Sequence, residues 1–179
     1  MIATIKTAIA LSRARAAARA LRGARHPMDD TNIIAHAAAS LGVALAPKTF
    51  EGDEVGRFGA SYDAGSRTVT YNLAIPVRRR IVLIARQLGH AALHAGPAAA
   101  GKLRMAQRCE MNGDGTPYAY TDHEKEAQAF ADELLAPRAE VIGLREVLPA
   151  SQVSDAFAVT ADVIVRQWRS APAYAVSSI

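Results

Sequence analysis

Cysteine and long hydrophobic runs are almost missing from this chain of 179 residues. Its one cysteine, Cys109, excludes a disulfide within the chain and is compatible with a reducing compartment. No run approaches the roughly 20 apolar residues of a membrane-spanning helix, and the N-terminus lacks an apolar segment with a clear cleavage site. We therefore expect a cytoplasmic protein with no membrane partner.

Acidic residues are missing from residues 1 to 25, which hold one lysine and five arginines. Without those six cations, the rest of the chain has 15 basic and 17 acidic residues and is nearly neutral. Residues 2 to 22 have the pattern of a helix with Arg15, Arg19 and Arg22 on one side. Such a cluster could contact nucleic acid. Because no aromatic residues are interleaved with it, the sequence favours a solvated helix face.

Half of the residues are apolar, which is enough for one compact core at this length. We predict three parts: a basic N-terminal helix or extension over residues 1–28, one folded domain over 29–170 and a loose tail over 171–179.

The domain is predicted to be α+β. A second helix over 32–41 is followed by three short strands of a small antiparallel sheet, then by two long helices and three short closing helices. A loop is expected between the long helices, over 96–117. The predicted strands are 43–45, 57–62 and 68–72, and the helices that follow are 77–94, 122–135, 141–148, 152–157 and 160–168.

The helix over 77–94 carries a polar stripe, because Arg86, His90 and His94 lie at i, i+4 and i+8 on one face. A helical zinc peptidase has the pattern His-Glu-x-x-His, in which two imidazoles bind the metal and Glu is the base. Here the matching residues are Arg86-Gln87-Leu88-Gly89-His90. The first ligand and the base are replaced.

Glu126, on the helix over 122–135, is predicted to lie along the apolar side with Ala127 and Phe130. A carboxylate in that position is costly unless it has a partner. The sequence therefore predicts a polar or cationic group facing it.

These motifs resemble the ImmA/IrrE family of zinc-peptidase-like domains. The resemblance covers about residues 32–169, and the block around Ala127 and Phe130 is the more specific one. The family pattern includes a strand ending in Asn, an Arg-rich helix start, His-Glu-Leu-Gly-His with a further His, and Glu-x-x-Ala-x-x-Phe-Ala-x-x-Leu-Leu-x-Pro. The matching stretches are Tyr71-Asn72, Arg78-Arg79-Arg80, 86–94 and 124–137.

The resemblance implies a zincin-like helical core, with zinc ligands at position 86, at His90 and at Glu126, and a general base at position 87. Arg86 cannot donate a lone pair, and Gln87 has no basic carboxylate. We therefore expect an inactive peptidase domain without a cofactor, in which Arg86 replaces the metal charge and pairs with Glu126. It would act by docking onto a helix-turn-helix regulator or a toxin-like protein, in a phage, mobile-element or stress-response setting.

Two alternatives remain open. In the first, a zinc site survives with shifted ligands: His90 and His94 are one helical turn apart, and Glu126, or His123 with Asp122 nearby, would complete it. That site could make the protein a metallopeptidase acting on a repressor, although it would lack the base of the motif. In the second, the basic N-terminal helix makes the protein a DNA-binding accessory protein.

Overall fold

The computed structural model describes residues 2–23, 32–50, 58–94, 104–108 and 121–169. Within these residues the fold contains seven helices and one four-stranded sheet, so the predicted α+β class is confirmed. The elements are α1 (Ile2–Arg22), α2 (Ile33–Ser40), β1 (Ala44–Lys48), β2 (Phe58–Asp63), β3 (Thr68–Asn72), α3 (Val77–Leu93), β4 (Arg104–Arg108), α4 (Asp122–Leu135), α5 (Arg138–Ile142), α6 (Ala150–Ala156) and α7 (Ala161–Arg169).

The sheet has the strand order β1-β3-β2-β4 and is mixed, not purely antiparallel. β2 and β3 form a hairpin whose turn is fastened by Asp63, which accepts a hydrogen bond from the Gly65 N–H at 2.8 Å. β1 pairs with β3 in the parallel direction, and β4 pairs with β2. The sequence did not predict β4 because the run Arg-Met-Ala-Gln-Arg has no β-branched residues.

α3 lies across the sheet and contacts both β2 and β3. Tyr62 and Val69, which face each other across the hairpin, are buried in the core beside α3. β3 ends at Asn72, whose side-chain oxygen accepts from the Ala74 N–H at 2.9 Å and so fixes the turn that leads into α3. The turn that Asn72 fixes leads to Pro76, directly after which α3 begins.

α3 and α4 approach each other closely at Gly89. A β-carbon at this glycine would lie 3.0 Å from both Cα and O of Ala127 and 3.1 Å from a ring carbon of Phe130. Two of these three atoms are backbone or Cα atoms of α4, so they cannot move without moving the helix. Gly89 thus permits the approach that brings the polar side chains of α3 against α4.

Gly89→Ala is expected to lower the free energy of unfolding by about 1–3 kcal/mol, because the added methyl group overpacks the contact between the helices. Thermal unfolding followed by circular dichroism measures the change. Gly143→Ala is the matched control, since Gly143 has a helical φ of −63° and nothing within 4 Å of the added carbon. It should leave stability unchanged or raise it slightly. Equal effects of the two substitutions would contradict the close approach.

α1 packs along α4, and its Ala14 and Ala18 are fully buried in the common core. Arg22 is buried as well and donates a hydrogen bond to the carbonyl oxygen of Leu134. Arg19 forms an ion pair with Glu133 at 2.9 Å. The described part of the predicted N-terminal extension therefore lies against the domain. The predicted boundary at residue 28, the tail over 171–179 and Cys109 fall outside the described residues.

The closing helices differ from the prediction in one place. α6 and α7 lie where two of them were expected, whereas the predicted helix over 141–148 is wrong. α5 begins earlier, directly after Pro137, and residues 143–148 form turns before Pro149 precedes α6. Proline favours the first turn of a helix, so each proline marks a start. Over the described ranges, no helix has both the length and the apolarity that crossing a membrane requires.

Candidate functional site

The residues that match the peptidase motif are buried in the middle of α3. Arg86 is 8% exposed, and Gln87 and His90 are fully buried. Burying a charged or polar side chain is costly unless other groups compensate it, so the surrounding contacts decide what the site can do.

Arg86 is compensated by Glu124 of α4. Its Nη2 donates to Oε2 of Glu124 at 2.5 Å, and the carboxylate is only 1% exposed. The other oxygen of Glu124, Oε1, lies 3.3 Å from Nε2 of His90. One buried carboxylate thus lies between the side chains at positions 86 and 90 of the motif.

The expected pairing of Arg86 with Glu126 is wrong, because Glu124 occupies that place. Two residues correspond to about 200° around a helix, so the two carboxylates lie on different sides of α4. The side chain of Glu126 is 22% exposed. The family pattern itself contained the signal: in Glu-x-x-Ala-x-x-Phe, the residue three before Ala127 and six before Phe130 is Glu124.

The neighbours of Glu124 keep it ionised. Burial alone would raise the pKa of this carboxyl, but the contact with His90 and the positive charge of Arg86 outweigh burial and lower the pKa below its ordinary value. The site therefore holds a fixed negative charge next to a fixed guanidinium at neutral pH.

A chain of ring contacts leads from His90 toward the protein surface. Nδ1 of His90 and Nδ1 of His94 are 3.0 Å apart, so one of them donates a proton and the other accepts it. Nε2 of His94 lies 3.2 Å from Oε2 of Glu126, and the ring of His123 lies beside that of His94, tilted by 30°, with centroids 4.4 Å apart. Burial lowers the pKa of His94, and the contact with Glu126 opposes this effect only in part.

The structure therefore connects Arg86, His90, His94, Glu126 and His123, all of which the sequence singled out. It adds Glu124, which the sequence argument missed. Gln87 lies within the buried face, where its amide can hydrogen-bond but cannot act as a base.

The donor groups do not fit zinc at the position that the peptidase motif would give it. Arg86 cannot coordinate a metal, and its guanidinium lies against Glu124, the carboxylate that would have to do so. His90 and His94 present Nδ1 to each other, whereas His94 presents its other nitrogen to Glu126. Among the residues that the structure describes, no group of three His, Cys, Asp or Glu side chains is arranged to hold a metal ion.

The arginines considered for nucleic acid do not form one exposed surface. Arg22 is buried, Arg19 pairs with Glu133 on α4, and Arg15 is half-buried. Their charges are thus partly used within the protein. Binding of DNA by α1 stays a prediction, and this geometry does not favour it.

In comparisons with known proteins, no family model matches the chain and no curated protein shows significant similarity to it. The resemblance to the ImmA/IrrE family accordingly rests on the quoted motifs and stays a prediction.

Proposed function

We propose that this protein is a catalytically inactive, ImmA/IrrE-like regulatory domain that acts by binding a protein partner. The observation that carries the proposal is the buried ion pair between Arg86 and Glu124. It joins the position of the first zinc ligand on one helix to the carboxylate that the family pattern selects on the other.

The pair accounts for the burial of both side chains. A metal ion in such a site offsets the charge of a carboxylate and fixes the two helices relative to each other. A guanidinium held by a charge-assisted hydrogen bond can do both. Arg86 thus replaces the electrostatic and structural effects of a cation without its chemistry.

Peptide hydrolysis of the zinc type needs a polarising metal and a base that takes a proton from water. Gln87 cannot take that proton. Glu124, a carboxylate in contact with the motif residues, is held between Arg86 and His90 and is not available as a base. The chain keeps the two packed helices of the peptidase pattern but lacks its catalytic groups, and this favours a role in recognition. The proposed partner is a helix-turn-helix regulator or a toxin-like protein.

The test is the metal content and activity of the purified protein. Chain purified without chelator and dialysed against metal-free buffer should contain far less than one equivalent of zinc, and it should bind its regulator without cleaving it. One tightly held equivalent of zinc, or cleavage that a chelator stops, would refute the proposal.

A second candidate is a metal site with shifted ligands at the outer end of the ring contacts. The contact of 3.2 Å between His94 and Glu126, with the ring of His123 beside that of His94, favours this place over the buried motif. In their present arrangement these three side chains do not form a metal site, so binding requires the exposed ring of His123 to turn toward the ion. Zinc titrated into the wild-type protein should then bind, and both His94→Ala and His123→Ala should abolish binding. Binding that survives both changes would eliminate this candidate.

A further inference from the structure

A cavity of about 350 Å³ lies between α3, α4 and α7, and Arg86 forms part of its wall. Three arginines line it: Arg79 and Arg86 from α3 and Arg166 from α7. Asp162 is the one carboxylate among the described residues that line it. The cavity is large enough for a small organic anion or for one side chain of a partner.

One face of α3 supplies four of the eight described residues that line the cavity. Arg79, Val82, Leu83 and Arg86 occupy positions i, i+3, i+4 and i+7, so they lie along a single stripe. The two guanidinium groups are separated by apolar side chains. A ligand with an apolar body and a charged end matches this order of groups.

Arg166 is held rigidly on the opposite side. Its Nε and Nη2 donate to the two oxygens of the buried Asp132 at 2.8 Å each, and its Nη1 donates to Asp162. These contacts raise the pKa of Arg166, although burial alone would lower it. Three of the five N–H groups are used within the described residues, which leaves two for a ligand.

Most of the carboxylates that pair with these arginines are buried beneath the cavity surface and do not line it. Glu124 and Asp132 are buried, and neither is among the lining residues. Asp162 does line the cavity, but it is already bonded to Arg166. A guanidinium oriented by a buried carboxylate is ready to bind a second oxyanion, because little side-chain entropy is lost on binding.

We propose that this cavity binds an oxyanion, a carboxylate or phosphate group, between Arg79, Arg86 and Arg166. The group can belong to a free small molecule or to a side chain of the protein partner. The site does not depend on whether its neighbour ever held zinc, so the two proposals can fail separately.

The experiment is calorimetric titration of the full chain with two probes, inorganic phosphate and glutarate, at constant ionic strength maintained with sodium chloride. We expect saturable binding of one equivalent of at least one probe. Binding of phosphate alone identifies a phosphate site, and binding of glutarate alone identifies a carboxylate site. Titration with a peptide that carries the same group then shows whether the cavity also binds this group when it belongs to a protein side chain. Absence of binding of both probes overturns the proposal.

Arg79→Gln is the informative variant, because Arg79 is exposed and glutamine keeps a long polar side chain on the helix; circular dichroism and thermal unfolding check that the variant keeps the fold. Arg166→Gln would leave Asp132 buried without its cation and is avoided. Arg78→Gln is the matched control: it removes the same charge from the same turn of α3, but Arg78 pairs with Asp155 and does not line the cavity. Arg79→Gln should weaken binding at least tenfold and Arg78→Gln less than about twofold. Equal weakening by both variants would indicate a non-specific charge effect and overturn the proposal.

Discussion

Glu124→Ala is expected to lower the free energy of unfolding by about 3–5 kcal/mol, because it removes the carboxylate that forms the buried ion pair with Arg86. At roughly 2–4 °C for each kcal/mol in a chain of this size, the midpoint of thermal unfolding should fall by about 6–20 °C. Arg86→Ala should have a similar effect, since it removes the guanidinium that pairs with the buried carboxylate of Glu124. Denaturant and thermal unfolding of the three proteins measure the difference.

A variant that replaces both partners distinguishes the cost of a buried charge that has lost its ion pair from the cost of lost packing. Arg86→Met combined with Glu124→Leu should be less destabilising than either alanine variant, because no charge is left unpaired. The control is the exposed pair of Arg78 and Asp155, whose side chains are 48% and 66% exposed. Alanine at either control position should cost less than about 1 kcal/mol. If Glu124→Ala costs no more than the control, the buried pair is not what stabilises the helix contact.

The same pair predicts a dependence on pH. The pKa of Glu124 is lower in the folded protein than its ordinary value, so the folded state favours the ionised form. The stability that this contributes is fully present above the unfolded value of about 4.3 and is lost as the pH falls through the folded pKa. The difference in stability between the wild type and Glu124→Gln should therefore shrink in acid. A difference that grows as the pH falls would contradict this assignment.

Periodicity and local motifs predicted α3 and its polar stripe correctly, because the 3.6-residue repeat alone determines which side chains share a helix face. The partner of that stripe was harder to predict. Glu124 and Glu126 lie on the same short segment; the spacing Glu-x-x-Ala-x-x-Phe selects Glu124, but the periodicity argument placed Glu126 on the apolar side. In the fold, the rotation of α4 against α3 buries Glu124. In this orientation Gly89 lies in close contact with Ala127, a tertiary feature that periodicity does not contain.

The arginine-lined cavity could not be predicted from local pattern at all. Arg166 and Asp132 are 34 residues apart, and their contact depends on the packing of α7 against α4. Arg79 in turn belongs to a run of three arginines that the sequence presents as equivalent. The fold makes them different, because Arg78 pairs with Asp155 while Arg79 lines the cavity.

The combined change Arg86→His with Gln87→Glu is expected to create binding of about one equivalent of zinc. Nε2 of His90 and Oε1 of Glu124 are 3.3 Å apart. Two ligands at about 2.0–2.1 Å from a tetrahedral zinc lie roughly 3.3 Å apart, so these atoms already have a suitable separation. The imidazole introduced one helical turn before His90 would supply the third ligand, as the peptidase motif requires. Zinc content after dialysis, and a midpoint of thermal unfolding that rises with added zinc, measure the effect.

Two further changes in that double variant show where the metal is bound. Glu124→Gln should abolish zinc binding, whereas His94→Ala should leave it nearly unchanged, because Glu124 faces the motif and His94 faces Glu126. The opposite result, with binding lost in His94→Ala and retained in Glu124→Gln, would place the metal at the outer ligands. In that case the buried guanidinium of Arg86 does not replace a metal. The ion pair between α3 and α4 would then be explained by its contribution to stability alone.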